Sequence, residues 1–182
     1  MIGMDRSPRT IQAKVSQMMQ KIEIERFSLT STKSFDEVLA AINDAIGHPE
    51  MAEFWKSIRQ AQTLAELEST IQKVLGSSGL MSFVQFDHGE IVQKATGRAT
   101  RSVRLVVGNP LIMKELASRV PDAGSYAPIT ILVDERADGV HLSYDRMASF
   151  LAPYNHPDAL AVARTLDARV EDLLRRAAGG GQ

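Results

Sequence analysis

An Asp-Gly pair between two short apolar segments constrains the fold of this chain more than any other feature. Asp138 and Gly139 separate residues 129–133 from residues 140–144, and both segments have the length of a strand. Asp and Gly tolerate the positive φ angles that a tight hairpin turn requires. The pattern therefore predicts that the two segments are antiparallel neighbours in a sheet.

Three further segments are typical of strands. In residues 25–32, Phe27 and Leu29 alternate with polar residues, as expected where one face of a strand is buried. Residues 80–86 and 103–107 are apolar runs of strand length. The chain therefore has enough strands to form a substantial sheet.

Capping signals mark the helices. Ser34 and Glu37 have the spacing of a capping box, which predicts a helix from residue 35 that ends at Gly47, the expected left-handed exit residue. Pro157 opens a long amphipathic helix that the glycines from residue 179 end. We expect shorter helices over residues 90–95, 110–120 and 146–151, and a disordered tail over residues 179–182.

Residues 48–79 are expected to form a helical hairpin. Pro49 suits the first turn of its first helix, in which Phe54, Trp55 and Ile58 lie on one side. Aromatic stripes at helical spacing usually pack against the protein's own core, but this one also has the character of an interaction surface. Phe54, Trp55 and Ile58 are therefore candidate interaction residues.

The leading segment, residues 1–21, is predicted to be a short amphipathic helix with a local charge of +3. Its apolar residues recur at i, i+4, i+7 and i+8, so they share one side of a helix. A helix this short needs a surface to pack against. We expect it to dock on its own domain or on a second subunit rather than on a membrane. The apolar residues are Ile11, Val15, Met18 and Met19.

Composition excludes several classes of protein. The formal charge of −1 provides no overall basic field for binding nucleic acid. The absence of cysteine excludes disulfides, thiolate nucleophiles, zinc knuckles and cysteine-bound iron–sulfur clusters. No long apolar run and no secretion signal are evident, so we expect a cytoplasmic protein that binds neither membranes nor nucleic acid.

Four short motifs occur in the order typical of a known family. The motifs are Ser34 to Glu37, Phe86 to His88, Val106 to Pro110, and the hairpin from Asp134 to Tyr144 followed by Asp145. On these motifs the chain, over roughly residues 25–151, resembles the bacterial and archaeal family called domain of unknown function 302.

The resemblance implies an α+β fold in which a curved, mostly antiparallel sheet carries helices on one face, similar to the fold of the TATA-box-binding protein. Fold similarity of this kind implies no DNA binding, and the family lends no established activity. Relative to its pattern, residues 48–79 are an insertion. We therefore expect one α+β domain over residues 22–178 with a helical insertion.

Five polar residues follow predicted strands and are the candidate ligand-binding residues. If the strands are neighbours, Asp87, His88 and Tyr144 can converge around a pocket and orient a ligand or transfer a proton. The alternative is structural, in which Asp87 caps a helix, Asn109 makes a turn and Tyr144 anchors the edge of the core. The five are Asp87, His88, Asn109, Tyr144 and Asp145.

No motif for a metal or cofactor is present. The four histidines lack the spacing of a metal site, and no glycine-rich loop has the pattern that binds phosphate. We predict neither a metal site nor a cofactor.

Two functions remain open from sequence. The first is a module that binds a small molecule or a protein, with a homodimer as one arrangement. The second is a small acid–base enzyme that uses Asp87, His88 and Tyr144 in a pocket at the strand ends.

Overall fold

The predicted hairpin is present, but its turn lies one residue earlier than expected, because Ala137 and Asp138, rather than Asp138 and Gly139, connect the two strands. In a computed structural model that describes residues 18–180, β4 (Ile129–Arg136) and β5 (Gly139–Asp145) pair antiparallel, with Arg136 opposite Gly139. Gly139 has φ 138°, an angle that disfavours residues with a side chain.

Five antiparallel strands form one sheet in the described part of the chain, in the order β1-β5-β4-β3-β2. The other strands are β1 (Arg26–Ser31), β2 (Met81–Asp87) and β3 (Ser102–Gly108). The predicted α+β class and antiparallel sheet are confirmed.

Seven α-helices connect or cover these strands within residues 18–180. The predicted capping box is present at the first of them, where the Ser34 and Glu37 side chains each accept the other's backbone N–H. The helices are α1 (Phe35–Ala45), α2 (Met51–Gln60), α3 (Leu64–Gln72), α4 (His88–Thr96), α5 (Pro110–Ala117), α6 (Met147–Leu151) and α7 (Pro157–Ala177).

The main core lies between the sheet and helices α1, α5, α6 and α7. Along β3, β4 and β5 every second side chain is buried, as expected for strands with one covered face. Leu105, Ile131 and Leu142 are fully buried there. Each such side chain stabilises the fold by about 1.5–3 kcal/mol through removal of apolar surface from water.

A buried carboxylate joins the sheet to the helices. Asp167 of α7 accepts hydrogen bonds from the Tyr144 hydroxyl at 2.7 Å and from the backbone N–H groups of Met147 and Ala148 at 2.7 and 3.1 Å. It therefore caps the start of α6 and fixes the end of β5 beneath α7. Burial, followed by the charge of Asp167, raises the pKa of Tyr144 far above its usual value.

The prediction for Gly47 is wrong. Gly47 does not adopt a left-handed conformation; it forms a parallel bridge with Met81 at the edge of β2. A Cβ on Gly47 would lie 1.7 Å from the Val74 carbonyl oxygen, and one on Gly76 would lie 2.4 Å from that of Ala45. Glycine is needed because two backbones meet here, not because the chain turns sharply.

The helical hairpin is present, but its first helix begins later than predicted. Glu50 caps α2, so Pro49 precedes the helix instead of lying in its first turn. The hairpin packs Phe54 of α2 and Ile71 of α3 against Met81 of β2 in a second, smaller core.

The leading segment falls mostly outside the described residues. Residues 18–21 are described and have no regular secondary structure. At the other end, Gly179 has φ 92° and Gly180 donates to the Arg175 carbonyl, so these two residues terminate α7 as expected. The remainder of the predicted disordered tail, residues 181–182, lies outside the described residues.

None of the helices within residues 18–180 combines the length and the apolar character needed to cross a bilayer.

The Tyr144 hydroxyl should stabilise the fold in a pH-dependent way. We expect Tyr144→Phe to lower the free energy of unfolding at pH 7 by about 1–3 kcal/mol, because Asp167 loses a buried donor. Above pH 10, where the unfolded chain's tyrosine loses its proton but the folded one keeps it, this advantage falls by about 1.4 kcal/mol per pH unit.

Urea unfolding of the wild type and Tyr144→Phe at several pH values measures this difference. The difference in free energy of unfolding between the two proteins should become smaller as the pH rises through 10. A difference that stays constant with pH would show that the hydroxyl does not remain protonated in the folded state.

Candidate functional site

The structure does not bring the five predicted site residues into one pocket. Asp87 and His88 lie at the end of β2, whereas Tyr144 is on β5, with β3 and β4 between them. Three strand spacings amount to about 14 Å. Asn109 follows β3, which runs antiparallel to β2, so it lies at the opposite end of the sheet from Asp87. The expectation of a shared pocket for acid–base chemistry is therefore wrong.

Asp87 begins a helix and lines a cleft. One of its carboxylate oxygens accepts the backbone N–H of Glu90 at 2.9 Å, which makes it the N-cap of α4. It lies opposite Val103 in the sheet, on the face that carries the helices. The other carboxylate oxygen has no hydrogen-bond partner among the described residues.

His88 lies apart from this cleft. Its ring stacks on that of Phe86, with the centroids 6.2 Å apart. Phe86 pairs with Arg104 and so points to the opposite face of the sheet from Asp87. Asp87 and His88 are adjacent in sequence, but their side chains lie on opposite faces of the sheet.

Asn109 has a structural position. Its side-chain oxygen accepts the Leu111 N–H at 2.9 Å and caps α5, while its amide donates to the Gly79 carbonyl at 3.0 Å. The residue thus ties the start of α5 to the loop before β2.

The neighbours Tyr144 and Asp145 point to opposite faces. Tyr144 is buried and bonded to Asp167. Asp145 forms a two-pronged ion pair with Arg26 across β5 and β1, at 2.6 and 2.9 Å.

Of the three candidate interaction residues on α2, two pack inside the protein and one is exposed. Phe54 is buried and Ile58 is half-buried, and both belong to the small core beneath the hairpin. Trp55 is 43% exposed, with its ring edge-on to Phe54 at 5.1 Å.

The cleft that Asp87 lines lies between α1, α4 and the edge of the sheet, and we call it the α4 cleft. Its volume is about 380 Å³, within the range of small-molecule sites. Apolar side chains from α1 and β3 line one part, and polar side chains from α1, β2, α4, β3 and the loop before β3 line the rest. The apolar residues are Phe35, Leu39 and Val103, and the polar ones are Asp36, Gln85, Asp87, Glu90, Gln93, Thr100, Arg101 and Ser102.

Carboxylates dominate the charge of the α4 cleft. Asp36 is paired with Arg101, whose guanidinium also lies 4.4 Å from the centre of the Phe35 ring. The hydrogen bond that Arg101 donates to Asp36 raises the pKa of Arg101 above its usual value. Glu90 is paired with Lys94 at 2.5 Å. Asp87 is left as the cleft carboxylate without an ion pair among the described residues.

Sequence reasoning found Asp87 but missed the other residues of the cleft. Gln85 lies two positions before Asp87 on β2, so both side chains point to the same face. Gln93 follows on α4. The spacing of Gln85 and Asp87 two positions apart was the available signal, because it puts two polar side chains on one face of the strand. Polar residues on an edge strand, however, are usually exposed to solvent.

No group of three or more acidic, histidine or cysteine side chains in the described part of the chain is arranged to hold a metal ion. Two of the histidines act at helix ends: His48 donates to the Asn43 carbonyl at the end of α1, and His156 caps α7 by accepting the Ala159 N–H. His141 pairs with Asp138 next to the hairpin turn.

The fold and site define a two-layer α+β domain with a polar cleft at one edge of its sheet. Residues 56–177 match the family model described as domain of unknown function DUF302, and the chain belongs to that family. The match begins within α2 and includes three of the four family motifs; Ser34 to Glu37 lie before it. No curated protein matches the chain.

A solved structure supports the fold independently. The chain is similar to the crystal structure of an uncharacterized conserved DUF302 protein from Bacillus stearothermophilus, with a TM-score of 0.59 and 16% identity. The similarity covers 84% of this chain and 97% of that one. At this identity the likeness establishes the fold alone.

Asn109 should matter for stability rather than for ligand binding. We expect Asn109→Ala to lower the free energy of unfolding by about 1–2 kcal/mol, because it removes the cap of α5 and a donor to Gly79. Asn109→Ser keeps a capping oxygen and loses only the donor to Gly79, so it should lower the free energy of unfolding by less. Urea unfolding compares the two, and equal losses would contradict a separate role for the cap.

Proposed function

We propose that this domain is a small-ligand-binding module whose α4 cleft holds a small organic cation. The observation that carries the proposal is the position of Asp87, a carboxylate without an ion pair among the described residues, in a cleft of about 380 Å³. Carboxylates in such a setting attract ammonium and guanidinium groups.

The surroundings of Asp87 favour the same class of ligand. The amide oxygens of Gln85 and Gln93 are acceptors for the N–H groups of a ligand. Phe35 already holds one guanidinium, that of Arg101, against its ring. The apolar lining gives the carbon chain of an amine a surface to pack on. This combination suits an alkylamine or alkylguanidine better than an anion.

Agmatine, which carries both an amine and a guanidinium, is a suitable probe. We expect it to cause saturable NMR shift changes at Gln85, Asp87 and Gln93, and the uncharged N-butylacetamide to cause none. Asp87→Asn should weaken binding about three- to tenfold, because a charge-assisted hydrogen bond in an open cleft is replaced by a neutral one.

The matched control is Asp158→Asn, which makes the same charge change in the first turn of α7. Because asparagine also caps helices, Asp87→Asn should fold normally. Equal weakening by the two substitutions, or the absence of saturable shifts, would contradict the proposal.

A second candidate function, self-association, rests on Trp55. It is the chain's only tryptophan, it is 43% exposed, and it lies on a hairpin outside the main core. Exposed tryptophans are strongly enriched among the residues that dominate binding at protein interfaces.

Sedimentation velocity across a concentration series tests this candidate. We expect Trp55→Ala to raise the dissociation constant of a homodimer about tenfold or more. Leu64→Ala, at an exposed apolar residue of α3, is the control and should change it little. A wild type that stays monomeric at every concentration would exclude this function.

A further inference from the structure

The sheet has a second face, opposite the main core, that helices α1, α5 and α7 do not cover. Other helices touch it locally: His88 of α4 stacks on Phe86, and Phe150 of α6 lines a pocket with Thr130. On β3, β4 and β5 the buried residues alternate with residues that remain partly or fully exposed. We call the exposed side the outer sheet face. A sheet face left open in this way is either polar or covered by something else.

One half of the outer sheet face is polar and internally paired. Asp145 is bonded to Arg26, and His141 is bonded to Asp138. The charged side chains of this half, on β1 and β5, are therefore paired with one another at the surface.

The other half carries apolar side chains among polar ones such as Thr130 and Asp134. Val84 and Phe86 of β2 are 40% and 45% exposed. The register places Val84 beside Val106, and Phe86 lies one strand from Arg104, whose other neighbour is Leu132. Val84, Phe86, Val106 and Leu132 thus form a continuous patch, which we call the outer patch. The stem of Arg104 adds apolar surface in its middle.

The segment that leads into β1 carries unburied apolar side chains of its own. Met18 and Met19 are 90% and 89% exposed. Ile11 and Val15, which precede them, have the i, i+4 spacing that places apolar groups on one side of a helix, whereas Met18 and Met19 lie in irregular chain. The basic residues of the segment fall outside this apolar stripe; they are Arg6, Arg9, Lys14 and Lys21.

The length of the connection allows this segment to reach the outer patch. β1 begins at Arg26, so eight residues, 18–25, join Met18 to the sheet. Eight extended residues span about 26 Å. From β1 to β2 there are four strand spacings, about 19 Å. Seventeen more residues precede Met18.

We infer that the leading segment folds back and covers the outer patch of its own chain, with Ile11, Val15, Met18 and Met19 packed on Val84, Phe86, Val106 and Leu132. The short tether favours the segment of the same chain over that of a second copy, because it gives a millimolar effective concentration. Docking would remove from water the apolar surface of both the segment and the outer patch, neither of which is fully covered by another described element.

Paramagnetic NMR tests this arrangement, and the absence of native cysteine makes a single label specific. A nitroxide attached to the Gln12→Cys variant should broaden the signals of Val84, Val106 and Leu132. A nitroxide attached to Thr165→Cys, at an exposed position of α7, should spare them.

Two further samples decide between alternatives. Ile11→Ser with Val15→Ser should abolish the broadening, whereas the control Ala13→Ser with Gln17→Ser, at the same spacing but outside the apolar stripe, should leave it. In a mixture of isotope-labelled protein and separate nitroxide-bearing protein, no broadening is expected. Broadening in that mixture would assign the patch to a second copy and overturn the inference, as would the absence of localised broadening in the first experiment.

Discussion

The fold depends on one buried carboxylate. Asp167 receives three hydrogen bonds, from the Tyr144 hydroxyl and from the backbone at Met147 and Ala148, within a region that water does not reach. Such a charge is tolerated only when its acceptors are satisfied. Because the donors come from consecutive elements, the end of β5 and the start of α6, this single side chain sets where the long helix α7 sits on the sheet. The main core fills the space between α7 and the sheet.

The antiparallel strand order explains why the polar residues serve separate purposes. Consecutive antiparallel strands finish at opposite ends of the sheet. Polar residues that follow successive strands are therefore separated and do not form one site. Asn109 and Tyr144 are consequently absorbed into capping and core packing. Asp87 also caps a helix, but it lies on an edge strand, next to a short helix that leaves the α4 cleft open. One of its carboxylate oxygens therefore has no hydrogen-bond partner among the described residues.

Local signals made most of the fold predictable. The hairpin at Asp138 and Gly139 and the capping box of Ser34 and Glu37 each depend on a few neighbouring residues, and both are present, although the turn itself is formed by Ala137 and Asp138. What failed depended on distant parts of the chain. The convergence of Asp87 with Tyr144 required the strand order, and the role of Gly47 required the approach of Val74, which no local pattern encodes. The candidate site was predictable only at Asp87, because a glutamine such as Gln85 has the same appearance in a solvated strand as in a cleft.

The backbone contacts around Gly47 and Gly76 have a consequence for how this architecture diversifies. The hairpin is attached through main-chain hydrogen bonds, from Gly47 and Gly76 to the Leu80 carbonyl and from Ser82 to the Gly47 carbonyl. Main-chain bonds of this kind are insensitive to side-chain identity as long as both glycines are retained. The outward-facing residues of α2 and α3 can therefore vary with little effect on the attachment of the hairpin, whereas Phe54 and Ile71, which pack on Met81, are constrained.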